Sequence, residues 1–258
     1  MKALPALLFF FLLPAFIQRA NSQSTSATQF SSELRFARTL AKRWSGEVTF
    51  TNNWMQSPPA DGLFDQYGEW SIGSWGHYYI AAKWRISLGA SIYHKLELED
   101  PQQNKNNEIR FSGQGTYYIK KIGYTISARS RLEWRNVQDA EQHFQSVLRL
   151  REQLKIVVPI NAKSIREGII YGFGSDELFF KTPSDATGDE IFDRNRFEIG
   201  MGYAITNDVT VELYYANVFL PRDTDQVNSV FNLDFSFRNL VENMKKRFSQ
   251  TRVPVPDD

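Results

Sequence analysis

Polar and apolar residues alternate along most of this chain, most clearly over residues 107–137 (NEIRFSGQGTYYIKKIGYTISARSRLEWRNV). Read at period two, Glu108, Arg110, Ser112, Gln114 and Thr116 share one face, and Ile109, Phe111, Gly113, Gly115, Tyr117 and Ile119 share the other. After Lys120–Gly123 the pattern resumes, with Thr125, Ser127, Arg129, Arg131, Glu133 and Arg135 opposite Tyr124, Ile126, Ala128, Ser130, Leu132 and Trp134. Side chains on a strand alternate between faces, so this stretch predicts a hairpin with one charged and one apolar side. A soluble sheet buries the apolar side, whereas a membrane barrel turns it to lipid and keeps the charges in its lumen.

The same alternation predicts strands at Ser45–Trp54, Tyr67–Ile80, Arg85–Glu97, Phe144–Val158, Arg166–Phe180, Arg194–Ile205, Val209–Phe219 and Ser229–Arg238. With the hairpin these make about ten, an even number that returns both ends to one side; one further strand pair would make twelve. Three features favour the barrel. The strands run to roughly 10–14 residues, enough to cross a bilayer when tilted. Short connections (Ala81–Trp84, Lys120–Gly123, Pro159–Ser164, Asn207–Asp208) alternate with longer polar loops, as periplasmic turns and external loops do. Aromatics gather near strand ends: Trp44, Trp84, Tyr117, Tyr124 and Tyr203 by the short turns, Trp54, Trp70, Trp134 and Phe219 by the long loops. The expected fold is therefore all-β, a transmembrane antiparallel up-and-down barrel over residues 44–238.

Residues 23–43 read as an N-terminal leader. Within it, Ser32–Leu40 alternates Glu33, Arg35 and Ala37 with Leu34, Phe36 and Arg38. As a short strand surplus to the ten, it either pairs at the seam, sits in the lumen or stays periplasmic. Residues 239–258 lose the alternation and read as a periplasmic tail. Lys2, the apolar run Leu4–Ile17 and the small residues Ala20-Asn21-Ser22 form a secretory signal peptide over residues 1–22. Pro14 interrupts that run, which is too short for the ~20 residues of a spanning helix.

Composition narrows the chemistry. The 30 basic and 29 acidic residues nearly cancel, so the chain has no nucleic-acid footprint. A mean hydropathy of −0.41 suits a barrel with a polar interior and not a helical membrane bundle. The absence of cysteine removes disulfides, thiol nucleophiles and cysteine-linked lipid.

In several short segments the chain resembles the uncharacterised outer-membrane proteins of domain-of-unknown-function family 2490. They are Glu108-Ile109-Arg110, Arg131-Leu132-Glu133-Trp134-Arg135, Arg149-Leu150-Arg151, Asp176-Glu177-Leu178-Phe179 and Phe192-Asp193-Arg194-Asn195-Arg196-Phe197. Their order and spacing carry the likeness, which extends over roughly residues 44–238. The resemblance implies a β-barrel in the outer membrane of a Gram-negative bacterium, reached after signal-peptide cleavage. It implies no catalytic residue.

The candidate site is the inward charge set: Glu108, Arg110, Arg129, Arg131, Glu133, Arg135, Arg149, Arg151, Glu177, Arg194, Arg196 and Glu198, with Glu167, Glu212 and Asp234 on the same register. Such a set either lines a charge-selective pore or packs the lumen with ion pairs, and the narrow bore of about ten strands favours packing. The expected role is a narrow pore or a structural or interaction protein, with outer-membrane lipid and the barrel-assembly machinery as partners. No cofactor or metal is expected, and the protein is not expected to be an enzyme.

The alternative is a lipid-active hydrolase on the barrel wall, needing a nucleophile, a base and an orienting group. Only His77, His94 and His143 are available as the base, and no serine motif accompanies them. The acidic loop 184–190 has a divalent-cation composition through Asp185, Asp189 and Glu190 but lacks calcium-loop spacing. Lys83, Lys120, Lys121 and Lys163 read as solvated turn lysines.

Overall fold

The computed structural model describes residues 25–56, 62–96, 106–222 and 225–240. The expected signal peptide and most of the expected tail lie outside the described residues. Eleven strands form one closed barrel: β1 (Thr25–Ala41), β2 (Trp44–Met55), β3 (Gln66–Ala81), β4 (Trp84–Lys95), β5 (Asn106–Lys121), β6 (Tyr124–Gln138), β7 (Phe144–Pro159), β8 (Ile170–Lys181), β9 (Phe192–Ala204), β10 (Val209–Leu220) and β11 (Gln226–Arg238). Each strand has 12 to 17 residues. Consecutive strands pair antiparallel, and the chain closes where β1 pairs with β11 in parallel.

The alternation has the consequence expected of it. Leu34, Phe50, Ile72, Ile86, Leu88, Phe111, Leu132, Leu150, Ile156, Ile199, Met201 and Leu213 are exposed on the outer wall. Leu88 is 75% exposed. An apolar surface that encircles the molecule is far larger than a water-soluble monomer presents, and lipid is the solvent it fits. Aromatic pairs border it at both ends. Trp44 packs on Tyr78 and Trp84 on Tyr117, each at 4.8 Å, beside the short turns. Trp54 packs on Tyr67 at 5.4 Å, and Trp70 lies 5.5 Å from His94, at the long-loop end.

The seam corrects the expected layout. The expected leader over residues 23–43 is, in its described part, no leader with a short strand: β1 is a full barrel strand, and the described barrel begins at Thr25 rather than Trp44. Among the described residues the barrel has eleven strands, close to the expected count of about ten. An odd meander makes its first and last strands run the same way, so closure is parallel. Thr25 consequently lies at the long-loop end and Arg238 at the short-turn end, instead of both ends sharing one side. Phe36 stacks on Phe237 across the seam at 5.0 Å. Asn239, at φ 51°, caps it: its side chain accepts from the Thr39 amide (2.7 Å), and its own amide donates to the Ala37 carbonyl (2.8 Å).

The connections at residues 42–43, 82–83 and 122–123 are tight. Gly123, at φ 90°, takes the left-handed position that glycine occupies without strain. The connection after β7 is longer than expected, spanning residues 160–169, because β8 starts at Ile170 and not Arg166. Glu167 therefore lies exposed in this connection and is not a lumen residue.

Candidate functional site

The lumen takes its chemistry from the inward positions of β4 to β9, which register places in rows. Ser91, Arg110 and Arg135 form one row, Ser112, Glu133 and Arg149 the next, then Gln114, Arg131 and Arg151, then Arg85, Thr116, Arg129, Gln153 and Glu177. Glu133 and Glu177 thus sit among arginines on their own and adjacent strands, which puts both carboxylates within reach of several guanidinium groups.

The twelve charges of the candidate set form a connected network. Arg135 holds Glu108 with a two-bond fork (2.7 and 2.8 Å), and Arg110 adds a third bond at 2.8 Å. Glu133 has no solvent exposure. Arg149 reaches it at 2.6 Å, Arg151 at 2.9 Å, Arg131 at 3.6 Å and Arg110 at 3.9 Å. Arg151 spans the two most buried acids, giving Nη1 to Glu133 and Nε and Nη2 to Glu177, each at 2.9 Å. Glu177, also without exposure, takes further bonds from Arg129 (2.6 Å) and Arg196 (2.8 Å). Arg196 lies 3.1 Å from Glu198, which accepts the Ser175 hydroxyl. Bidentate guanidinium–carboxylate geometry satisfies buried charges that would otherwise be costly to desolvate.

One lumen feature breaks the period-two pattern, and two more keep it but lie outside the expected charge set. Asp193, 2% exposed, lies within 3.5 Å of Arg149, Arg194 and Arg222. A register shift opposite Phe179/Phe180 inserts an extra residue into β9, turning both Asp193 and Arg194 inward. Trp75 reaches over Gly89, where a Cβ would meet its ring at 2.5 Å, and its ring lies 4.6 Å from the Arg131 guanidinium. Glu33 and Arg35 of β1 bond to each other, and Arg35 also faces Glu47 at 3.7 Å. Their chemistry was legible in the alternation of Ser32–Leu40; only the strand's place in the barrel was not. Glu212 and Asp234 lie on the far wall, bonded to the Tyr171 and Tyr214 hydroxyls at 2.8 and 3.1 Å, apart from the main network.

The network packs one side of the lumen without filling it. A cavity of about 750 Å³ extends from Met55, Lys95 and Leu220 near the long-loop end to Tyr118 and Lys155 near the other. Twelve basic and six acidic side chains border it. Counting the wall-buried Glu133, Glu177 and Asp193 still leaves bases in excess. A second cavity of about 490 Å³ continues to Lys42, Arg43 and Ala82 at the short turns, with six basic residues and the single carboxylate Glu47. Arg85 and Tyr118 border both. Lys120, expected to be a solvated turn lysine, also borders the second.

The histidines are placed differently from one another. His77 is buried in the lumen, its Nδ1 2.8 Å from the Ser87 hydroxyl and its Nε2 3.9 Å from Glu47. This is a serine neighbour that no motif announced, since the contact is made across β3 and β4. The Glu47 separation exceeds hydrogen-bond length, so no described carboxylate is bonded to this imidazole to orient it. His94 faces outward and bonds Asn107 Oδ1 at 2.6 Å. His143 is exposed beside Glu141. On the outer wall, Glu152 accepts the Ser130 hydroxyl and Asp176 accepts the Asn195 amide, both at 2.6 Å, with no histidine bonded to either pair. Asp185, Asp189 and Glu190 do not converge: among the described residues no group of three His, Asp or Glu could hold a metal ion.

Comparison with solved structures finds the same architecture. LpxR from Salmonella typhimurium superposes with a TM-score of 0.51 at 11% identity, covering 79% of this chain and 86% of that one. The beta domain of the Bordetella autotransporter BrkA gives a TM-score of 0.44 at 10% identity, covering 77% and 85%. At 11% identity the likeness to LpxR extends to the fold alone. No curated protein matches the sequence. Residues 24–229 match the family described as protein of unknown function (DUF2490), and the chain belongs to that family.

Proposed function

We propose that this protein is a non-enzymatic outer-membrane barrel whose lumen is a narrow passage preferring small anions. The arginine–carboxylate network forms its fixed wall. The observation that carries this reading is the pair of abutting cavities, whose linings run from the long-loop end to the short-turn end with basic side chains in excess in both. A charged lining inside a low-dielectric wall raises the local concentration of counter-ions and repels ions of its own sign. Packing and passage are therefore two parts of one design: Glu133 and Glu177 neutralise and fix the arginines of β6, β7 and β9, while the far wall of Ala216, Val218 and Val230 leaves space beside them. Outer-membrane residence is supported by the encircling apolar wall and its aromatic borders.

The competing lipid-active reading lacks a bonded serine–histidine pair on the outer wall among the described residues. Purified protein in planar bilayers, assayed in parallel for phospholipid turnover, tests the choice. Stepwise conductance without turnover is expected; fatty-acid release without conductance would replace this reading with the hydrolase.

A further inference from the structure

We infer that the junction of the two cavities is a binding site for a soluble multivalent oxyanion of the phosphate class, with Arg85 as its central contact and Lys120 as its second cation. This rests on the lumen described above and deepens the proposed passage by placing its tightest anion site. Three observations lead to it. Arg85 Nε is shielded from solvent and has no hydrogen-bond partner among the described residues. No described protein acceptor therefore engages this nitrogen, and the charge of the guanidinium is not offset on that edge. Next, Tyr118 holds two cations at once: the Arg85 guanidinium lies 5.6 Å from its ring centre and the Lys120 ammonium 5.7 Å. An aromatic ring attracts both cations but neutralises neither, so two positive charges remain beside one cavity. Lastly, that cavity contains one carboxylate, Glu47, which Arg35 already engages at 3.7 Å.

Two fixed cations with a planar fork between them suit an anion carrying at least two negative charges and several equatorial oxygens. The ligand is soluble rather than a lipid headgroup, because Arg85 projects inside the closed wall and an acyl chain cannot follow through the sheet. Its entrance is the short-turn mouth, where Lys42, Arg43 and Arg238 also border the cavity.

Calorimetric titration of the detergent-solubilised full chain with inorganic pyrophosphate tests this directly. Wild-type protein should bind one equivalent. Arg85→Gln should weaken binding roughly tenfold or more, the effect of one charge-assisted contact, and Lys120→Gln several-fold. Lys163→Gln removes a positive charge from the same end but outside the lumen, and should leave binding unchanged. Folding of each variant is checked by heat-modifiable migration; if Arg85→Gln does not fold, Lys120→Gln decides. Absence of wild-type binding, or equal affinity in wild type and the deciding variant, would overturn the assignment. The readout is binding, so it separates from the passage itself: a barrel that binds pyrophosphate but does not conduct refutes the passage alone, and a conducting barrel without binding refutes this site alone.

Discussion

Glu133 is the residue on which most of the lumen wall converges. Four arginines lie within 3.9 Å of it, and none of its surface meets solvent. In Glu133→Ala, Arg149 keeps Asp193 at 3.5 Å and Arg151 keeps Glu177, but Arg131 retains only the Gln114 amide oxygen and the Trp75 ring. Removing one partner from a buried ion pair costs about 3–5 kcal/mol because the remaining charge is stranded. Leu132→Ala, on the half-exposed outer wall of the same strand, should cost less, since lipid refills the space. The thermal midpoint of heat-modifiable migration in one detergent compares them; the expected order is wild type, then Leu132→Ala, then Glu133→Ala. The partners of Glu133 were readable from the sequence, because Arg131 shares its face on the same strand and Arg149 and Arg151 share it on the next. Asp193 was not, because a bulge breaks the period on which such a reading depends. The Ser87–His77 contact was hidden for another reason: it needs the register of β3 against β4, which alternation leaves undetermined.

At the scale of single elements, the connection between β6 and β7 is organised by one half-buried carboxylate. Asp139 accepts backbone N–H bonds from His143 (2.8 Å) and Glu141 (3.0 Å), and the Gln145 side chain donates to its second oxygen at 3.1 Å. The bond from the His143 backbone, foremost among these, holds the carboxyl below its ordinary value. A depressed folded value means that the contribution to loop order is fully present above the ordinary carboxylate range and is lost as pH falls through the lowered value. Protection of the His143 and Glu141 amides, taken relative to the intrinsic exchange rate at each pH, should therefore fall on acidification through that range, and Asp139→Ala should show the lower protection already at neutral pH. Equal, pH-independent protection in both proteins would contradict this account. The same scale explains the two misplaced boundaries. In β1, Arg38 follows Phe36 on the outer register but lies at the short-turn rim, where it also borders the second cavity, so it interrupts the apolar stripe only beside the turn. Around Pro159, the apolar residues Ile160, Ile165 and Ile169 prolong a strand-like composition through what is a connection.

For the whole molecule, closure is the decisive feature, and it was the least legible. Alternation reveals which residues face inward but carries no information about whether first and last strands meet in parallel or antiparallel. β1 supplies ladder partners to both β2 and β11. Deleting residues 25–41 would leave two open edges in lipid, where each unsatisfied backbone group costs several kcal/mol. Such a deletion should yield no heat-modifiable species, and a stable ten-stranded barrel from it would refute the role assigned to the seam. Closure also sets the bore, in which a packed arginine–carboxylate wall stands beside a cavity bordered by twelve bases and six acids. The direct measurement of that central claim is the reversal potential of the reconstituted barrel in a tenfold potassium chloride gradient. The expected sign is that of a chloride-preferring pathway, moving toward zero as raised salt screens the lining. A potassium-preferring potential, or a sealed bilayer with verified inserted protein, would contradict it.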